Sequence, residues 1–295
     1  RTDEVTAFTT QQITYLSNAQ ISALSTTNLK TLTSDQFRAL TTSQVNSLIA
    51  NHLASLDASN LAVLNSTQIQ AITPDGIAAL TTQAIASLTS DQITYLSTKQ
   101  VAALKTTQLA ALESTDLKAL SSRQIGALTA PQLNSLSSTQ MSQLLTTQVS
   151  ALTLLQVPKL TSVNLNALTT SQFQALTTAQ IAILSTSQIA NLENSDLASL
   201  DTNQILAITP KNIGLISTQG IVALMTAQVR ALNANQLKTL TSNQLSNLAV
   251  DDLQSLSSTQ LTNLSGPQLN ALSTAQLSVL LTSQLASLTP SQIST

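Results

Sequence analysis

The chain repeats every eight residues from Phe8 to its last residue, and this period constrains the fold more than any other feature. Thirty-six octads follow one another without insertion or deletion, with the consensus L-[ST]-[ST]-x-Q-[ILV]-x-[AS]. Position 1 is Leu in 32 octads, position 5 is Gln in 25, and position 6 is apolar in all 36. Such self-similarity indicates a repeat architecture, in which stacked units share one core.

A longer period of 136 residues, or 17 octads, is superimposed on the first. The segment ITPDGIAAL at residues 72–80 aligns with ITPKNIGLI at residues 208–216, and Asp116 aligns with Asp252. We therefore predict a 136-residue module, present in about 2.2 copies, within one continuous octad-repeat domain over residues 1–295. Because the sequence starts in mid-octad, with Val5 at position 6, we expect it to be a fragment of a longer chain.

An eight-residue period does not suit a continuous helix or a flat strand. Eight residues at about 100° each shift an apolar stripe by about 80° per octad, so no helix face would stay apolar. On a strand, positions 1 and 6 would point to opposite faces because their spacing is odd. A β-solenoid would need more turn residues than the five glycines provide, and Ala, Gln and Leu favour helices.

A short helix with a capped start accounts for each position of the octad. Ser or Thr at position 2 and Gln at position 5 form the capping-box pattern, and the aliphatic residues at positions 1 and 6 form a hydrophobic staple. Four octads carry another good capping residue at position 2: Asp57, Asn65, Asp201 and Asn233.

The prolines provide an independent test of this interpretation. Proline is favoured in the first turn of a helix, and five of the six prolines fall there: Pro74, Pro131, Pro210, Pro267 and Pro290. Pro158 lies at position 7, inside the expected helix, so we predict a local distortion there.

The predicted fold is an all-α solenoid of short capped helices, one per octad, that forms an elongated rod. A single octad cannot bury enough apolar surface to fold alone, so its stability must come from stacking. We expect Leu and Ile inside, with Ser, Thr, Gln and Asn facing solvent or the cap network. Since 17 is not a multiple of 3 or 4, we also expect a non-integral number of octads per superhelical turn.

Composition excludes several classes of function. Charged residues make up 8% of the chain and the net charge is −2, which argues against nucleic acid as a partner. The absence of Cys excludes disulfides and thiolate sites, and a single His cannot form a multi-histidine metal site. No apolar run reaches 18 residues, so we predict no membrane insertion, and nothing indicates a cofactor.

A few residues depart from the consensus in ways that could carry chemistry. His52 replaces the position-5 Gln, and we interpret it as a capping or surface residue rather than a catalytic base. Asp116 and Asp252 also stand at position 5, where a carboxylate suits the start of a helix, with a cation ligand as the alternative. The acidic pairs in ESTD (residues 113–116) and ENSD (residues 193–196) are too sparse for calcium. We predict no catalytic, cofactor-binding or metal-binding residue.

Two resemblances follow from the motif. The segment ITPDGIAAL resembles the opening of TAL-effector DNA-binding repeats, but their longer period, Gly-rich loop and positive charge are missing. The whole chain resembles the LTTxQIxAL tandem arrays of very large bacterial surface or secreted proteins, which are adhesin-like. This second resemblance implies export and a role at the cell exterior.

The leading functional hypothesis is a structural protein that forms or extends an extracellular fibre, filament or adhesin stalk. Low surface charge favours self-association and lateral packing. The alternative is a binding module whose regular Ser/Thr/Gln face captures a glycan, ice or another surface. Catalysis is a distant third, so we predict that the protein is not an enzyme.

Overall fold

A computed structural model describes residues 5–294, and within them the chain is helical with no strand. Up to residue 152 the α-helices are Thr10–Tyr15, Asn18–Ser22, Thr26–Lys30, Ser34–Ala39, Thr42–Asn46, Ala50–Ser55, Ala58–Ala62, Ser66–Ala71, Pro74–Ala79, Thr82–Ala86, Ser90–Tyr95, Thr98–Ala103, Thr106–Ala110, Ser114–Ala119, Ser122–Ala127, Ala130–Asn134, Ser138–Gln143 and Thr146–Ser150. A 3₁₀-helix, Val157–Lys159, follows. The remaining α-helices are Ser162–Asn166, Thr170–Gln174, Thr178–Ala182, Thr186–Ala190, Asn194–Ser199, Thr202–Ala207, Pro210–Ile213, Thr218–Val222, Thr226–Ala231, Ala234–Thr239, Ser242–Ser246, Val250–Ser255, Ser258–Leu261, Gly266–Asn270, Thr274–Ser278, Thr282–Ser287 and Pro290–Ile293.

Each of these α-helices begins directly after the residue at octad position 2. At Thr41 the backbone is extended (φ −70°, ψ 158°), and its Oγ1 accepts a hydrogen bond from the Gln44 N–H at 3.2 Å. Gln44 Oε1 in turn accepts from the Thr41 N–H at 2.8 Å. This reciprocal pair is the predicted capping box. The four other predicted caps also accept from the first turn of their helices: Asp57, Asn65, Asp201 and Asn233.

The prolines lie where the capped-helix interpretation requires. Helices begin at Pro74, Pro210 and Pro290, and two more prolines occupy the second helical position. Pro158 has no N–H to donate within a helix, and its octad forms a 3₁₀-helix instead of an α-helix. The predicted local distortion is therefore confirmed.

The chain divides into two compact units, Arg1–Leu152 and Thr153–Thr295, with the same internal construction. In the first unit, for example, the helix Thr42–Asn46 packs against Ser66–Ala71, three octads later. In the second, Pro210–Ile213 packs against Ala234–Thr239. The all-α solenoid of one short helix per octad is thus confirmed.

The core of each unit consists of the apolar side chains at positions 1 and 6, most of which are buried as predicted; Leu277, Leu285 and Ile293, near the end of the chain, are exposed. Phe37 and Phe173, both at position 6, are fully buried. Hydrogen bonds between successive turns join residues 25 to 31 positions apart; Asn46 Nδ2, for instance, donates to the Ala71 carbonyl at 3.0 Å. A superhelical turn therefore takes between three and four octads, which confirms the expected non-integral number.

Candidate functional site

The most regular chemical feature of the molecule is the buried side-chain amide at octad position 5. Gln236 is completely buried, and its Oε1 accepts from the Asn233 N–H at 3.0 Å. Its Nε2 donates to the carbonyls of Ile205 at 2.9 Å and Ile208 at 2.8 Å, in the preceding turn. One side-chain amide thus completes the capping box of its own helix and forms hydrogen bonds to the helix four octads earlier.

This arrangement recurs along both units and forms a ladder of amides. In the first unit, Nε2 donates to the carbonyl 28 residues earlier from Gln36, Gln44, Gln68, Gln92, Gln100, Gln108, Gln124, Gln132, Gln140 and Gln148. In the second unit, the same bond is made by Gln188, Gln204, Gln228, Gln236, Gln244, Gln260, Gln268, Gln276, Gln284 and Gln292.

The bonds between turns were not foreseen from the sequence, which predicted only the capping role of these glutamines. Gln12 and Gln20 make the capping bonds but are exposed, whereas most glutamines of the ladder are buried. Their amides are therefore removed from the exposed Ser/Thr/Gln face that a glycan-binding or ice-binding module was expected to use. Positions 3 and 4 of the octad remain exposed, as at Thr42 and Ser43.

His52 takes over part of the glutamine's role. The side chain is 2% exposed, so the expectation of a surface position is wrong. Its Nε2 lies 2.7 Å from the Leu24 carbonyl oxygen, 28 residues earlier, and must carry the proton because a carbonyl only accepts. The N-cap residue Ile49 has no side-chain cap, and within the described residues no group bonds to His52 Nδ1. His52 therefore joins two turns of the solenoid through its Nε2.

The aspartates at position 5 are buried as well. Asp116 and Asp252 are each 5% exposed, and Asp116 Oδ1 accepts from the Ser90 hydroxyl at 2.8 Å. In the two acidic octads, which the sequence indicated were too sparse for calcium, the N-cap residues Glu113 and Glu193 make no side-chain cap bond. No group of three or more His, Cys, Asp or Glu side chains within residues 5–294 could hold a metal ion.

Asp196 has the most unusual environment of these carboxylates. It is 3% exposed, and its Oδ2 has no hydrogen-bond partner within the described residues. Burial, together with the nearby Glu193 carboxylate, raises the pKa of Asp196 to about 7. The site can therefore hold a proton near neutral pH.

Charged residues make up only 8% of the chain. An exposed ion pair joins Arg38 to Asp35 at 3.0 Å. Within the described part of the chain, no helix is long and apolar enough to cross a bilayer.

Comparison with known proteins identifies the repeat but no activity. No curated protein matches the chain. The family model of the ALTTAQ repeat matches four stretches, residues 16–49, 75–106, 109–146 and 157–194. These stretches carry the same capped helices and buried amides as the rest of the described chain. The chain is therefore a tandem-repeat region in which four segments match the ALTTAQ repeat.

Proposed function

We propose that the chain is a structural protein, part of a solenoid that forms or extends an extracellular fibre, filament or adhesin stalk. The amide ladder is the observation that carries this proposal. Each turn receives hydrogen bonds from the glutamines of the next turn through the same backbone carbonyls, at positions 6 and 1. Every turn therefore presents the same backbone carbonyls to the turn that follows it. Octads can be added at the end of the solenoid without a new kind of contact.

The outer surface supports association between copies. Positions 3 and 4 present small Ser, Thr and Ala side chains in many octads, and the chain has a net charge of −2. Little electrostatic repulsion opposes the close approach of such surfaces. The expected partners are therefore other copies of the same solenoid, packed laterally, with no cofactor and no enzymatic activity.

The location at the cell exterior is proposed on other grounds. It rests on the resemblance of the octads to the LTTxQIxAL arrays of large bacterial surface and secreted proteins. A chain without Cys and with few charges is compatible with that setting.

Electron microscopy of negatively stained protein tests this function. The purified chain would be compared with a variant shortened by 17 whole octads, which keeps the repeat register. We expect the full chain to form rods or filaments. We expect the rods of the shortened variant to be shorter in proportion to the number of octads removed. A glycan-array assay on the same samples addresses the alternative. Compact monomers that bind a polysaccharide would overturn the structural proposal in favour of the binding module.

A further inference from the structure

The amide ladder defines three partner atoms for each position-5 side chain. Around Gln92, the Thr89 N–H donates to Oε1 at 3.1 Å, and Nε2 donates to the carbonyls of Leu61 at 2.8 Å and Leu64 at 3.2 Å. The protein backbone thus forms a socket with one donor and two acceptors, and a primary carboxamide satisfies all three.

At Ala84 the socket lacks its amide. Ala84 is 2% exposed, and its N–H donates to Thr81 Oγ1 at 3.1 Å, so the helix start has the usual form. By register, the socket atoms are the Thr81 N–H and the carbonyls of Leu53 and Leu56, 31 and 28 residues earlier. Within the described residues, no hydrogen bond engages the Thr81 N–H or the Leu56 carbonyl oxygen.

A cleft of about 520 Å³ opens at this socket. Its lining includes Ala84, Thr81, Ala54, Leu56, Asp57 and Lys30. Ala54 and Leu56 precede Ala84 by the same 30 and 28 residues that separate Gln132 from two of its three acceptors, Ala102 and Leu104. The cleft therefore includes the place that a glutamine side chain fills in other octads.

The two octads with Gly at position 5 provide a contrast. A Cβ atom added to Gly76 would overlap Leu53 Cδ1, and one added to Gly220 would lie 2.8 Å from Leu197 Cδ1. In both octads a leucine of the preceding turn already lies where the first side-chain atom would stand. Gly220 is the counterpart of Ala84 in the 136-residue period, so the two copies of the module differ in the residue at this socket.

We propose that the cleft at Ala84 binds a primary carboxamide, either free glutamine or a glutamine side chain in a peptide. The amide oxygen accepts from the Thr81 N–H, and the amide NH₂ donates to the carbonyl of Leu56; both residues line the cleft. A carboxylate of the same shape has no proton to donate and places negative charge against that carbonyl oxygen. This site is independent of the structural role proposed above, since it needs no contact between copies of the chain.

Saturation-transfer NMR tests the proposal with three probes: L-glutamine, L-glutamate and N-acetyl-L-glutamine methylamide. We expect transfer to at least one of the two amides, and binding of glutamate at least about tenfold weaker. Binding of the blocked amide alone assigns the site to a glutamine side chain in a peptide, whereas binding of L-glutamine alone assigns it to the free amino acid. Equal binding of glutamate and glutamine, or no transfer to either amide, would overturn the proposal.

Two variants at the socket and one control locate the binding. Ala84→Gln supplies the missing amide and Ala84→Leu fills the space with apolar atoms, so both are expected to abolish transfer. Thr82→Ala changes an exposed residue of the same helix and is expected to leave transfer unchanged. Circular dichroism establishes that each variant is folded. Transfer that persists in both folded Ala84 variants would show that the probes bind elsewhere.

Discussion

At the scale of single residues, glutamine is favoured at position 5 because it is long enough for two tasks. Asn60 Oδ1 accepts from the Asp57 N–H at 3.2 Å and so completes a capping box. Asn212 Nδ2 instead donates to the Leu184 carbonyl at 2.9 Å, and its helix has no complete box. Each shorter amide is seen to perform one task, whereas Gln236 performs both.

Replacing a ladder glutamine should therefore cost more than replacing an exposed one. Gln236→Ala leaves the N–H of Asn233 and the carbonyls of Ile205 and Ile208 without their side-chain partner. We expect the free energy of unfolding to fall by about 1–3 kcal/mol, measured by urea denaturation. Gln20→Ala is the matched control, because Gln20 makes only the capping bonds. Equal losses in the two variants would contradict a role for the bonds between turns.

Asp196 makes stability depend on pH. Its pKa rises from 3.8 to about 7 in the folded chain, so the folded state holds a proton that the unfolded state releases. Stability should therefore decrease as pH rises from about 4 through 7, by about 2 kcal/mol between pH 5 and pH 8. Urea denaturation at the two pH values measures the difference.

The variant Asp196→Asn isolates this effect. An asparagine can donate to the preceding turn, as Asn212 does to Leu184, and it has no proton to lose. We expect the variant to be more stable than the parent at pH 8 and to lose most of the pH dependence. Asp91→Asn, at an exposed position, should leave the pH dependence in place. A pH dependence unaltered by Asp196→Asn would assign it to other groups.

The sequence was sufficient to predict the capping role of the position-5 glutamine but not its hydrogen bonds to the preceding turn. A capping box joins residues three apart, so Thr41 and Gln44 could be paired from their spacing alone. The bonds between turns join residues 28 to 31 apart, and that distance depends on how many octads complete a turn. Nearly identical octads offer many equivalent partners at other separations. The burial of Gln44 and of His52 could not be predicted for the same reason.

At the scale of a helix, the two halves of the capping box are separable. In four octads the N-cap residue has no side-chain cap bond, yet its N–H still donates to the glutamine: Lys105, Leu145, Met225 and Leu281. The helices form in all four. The glutamine half of the box is thus sufficient where stacking supports the helix.

Restoring the missing half should stabilise such a helix. Leu145 is 44% exposed and lies where Ser or Thr normally caps, before Thr146–Ser150. We expect Leu145→Thr to be more stable than Leu145→Ala by about 1 kcal/mol, because both variants lose the leucine and only one gains a cap. Thermal unfolding followed by circular dichroism measures the difference. Equal stability of the two variants would show that the cap contributes nothing at this position.

Pro158 illustrates how local sequence can override the repeat. Its octad keeps Leu152 and Val157 buried at positions 1 and 6, and Gln156 Oε1 accepts from the Thr153 N–H at 2.7 Å. The capping bond at the start of the octad is therefore ordinary, but residues 154–156 form a turn and Val157–Lys159 a 3₁₀-helix, so the octad has no α-helix. The position of this distortion was predictable because a proline's effect is confined to its own turn.

At the scale of the whole molecule, the described contacts within each unit join residues that are close together in the sequence. Bonds between turns span no more than 31 residues, and helices pack on those three octads away. Stability then approximates a sum over octads and the interfaces between them. The octad register, rather than any single octad, is the property that the chain must preserve.

Deletions test this dependence on register. Removing residues 241–248 deletes one whole uncharged octad. Each later glutamine then still lies 28 residues after a position-1 carbonyl and 31 residues after a position-6 carbonyl. Gln268 would then face the carbonyls of Leu232 and Val229 in place of Leu240 and Leu237. We expect the helix content per residue to be unchanged and the thermal midpoint to fall by only a few degrees.

Removing residues 241–244 should have the opposite result, although fewer residues are lost. Loss of half an octad shifts the following octads by four residues relative to the preceding turn, so that position 5 takes the place of position 1. For about one turn after the junction, the glutamines therefore find no carbonyl at the required place. Apolar side chains also pack against polar ones there. We expect a greater loss of helix, measured by circular dichroism, than the whole-octad deletion causes. Hydrogen exchange should place the loss within about 32 residues of the junction, because contacts reach no farther than one turn. If both deletions were tolerated equally, the bonds between turns would not determine how the octads stack.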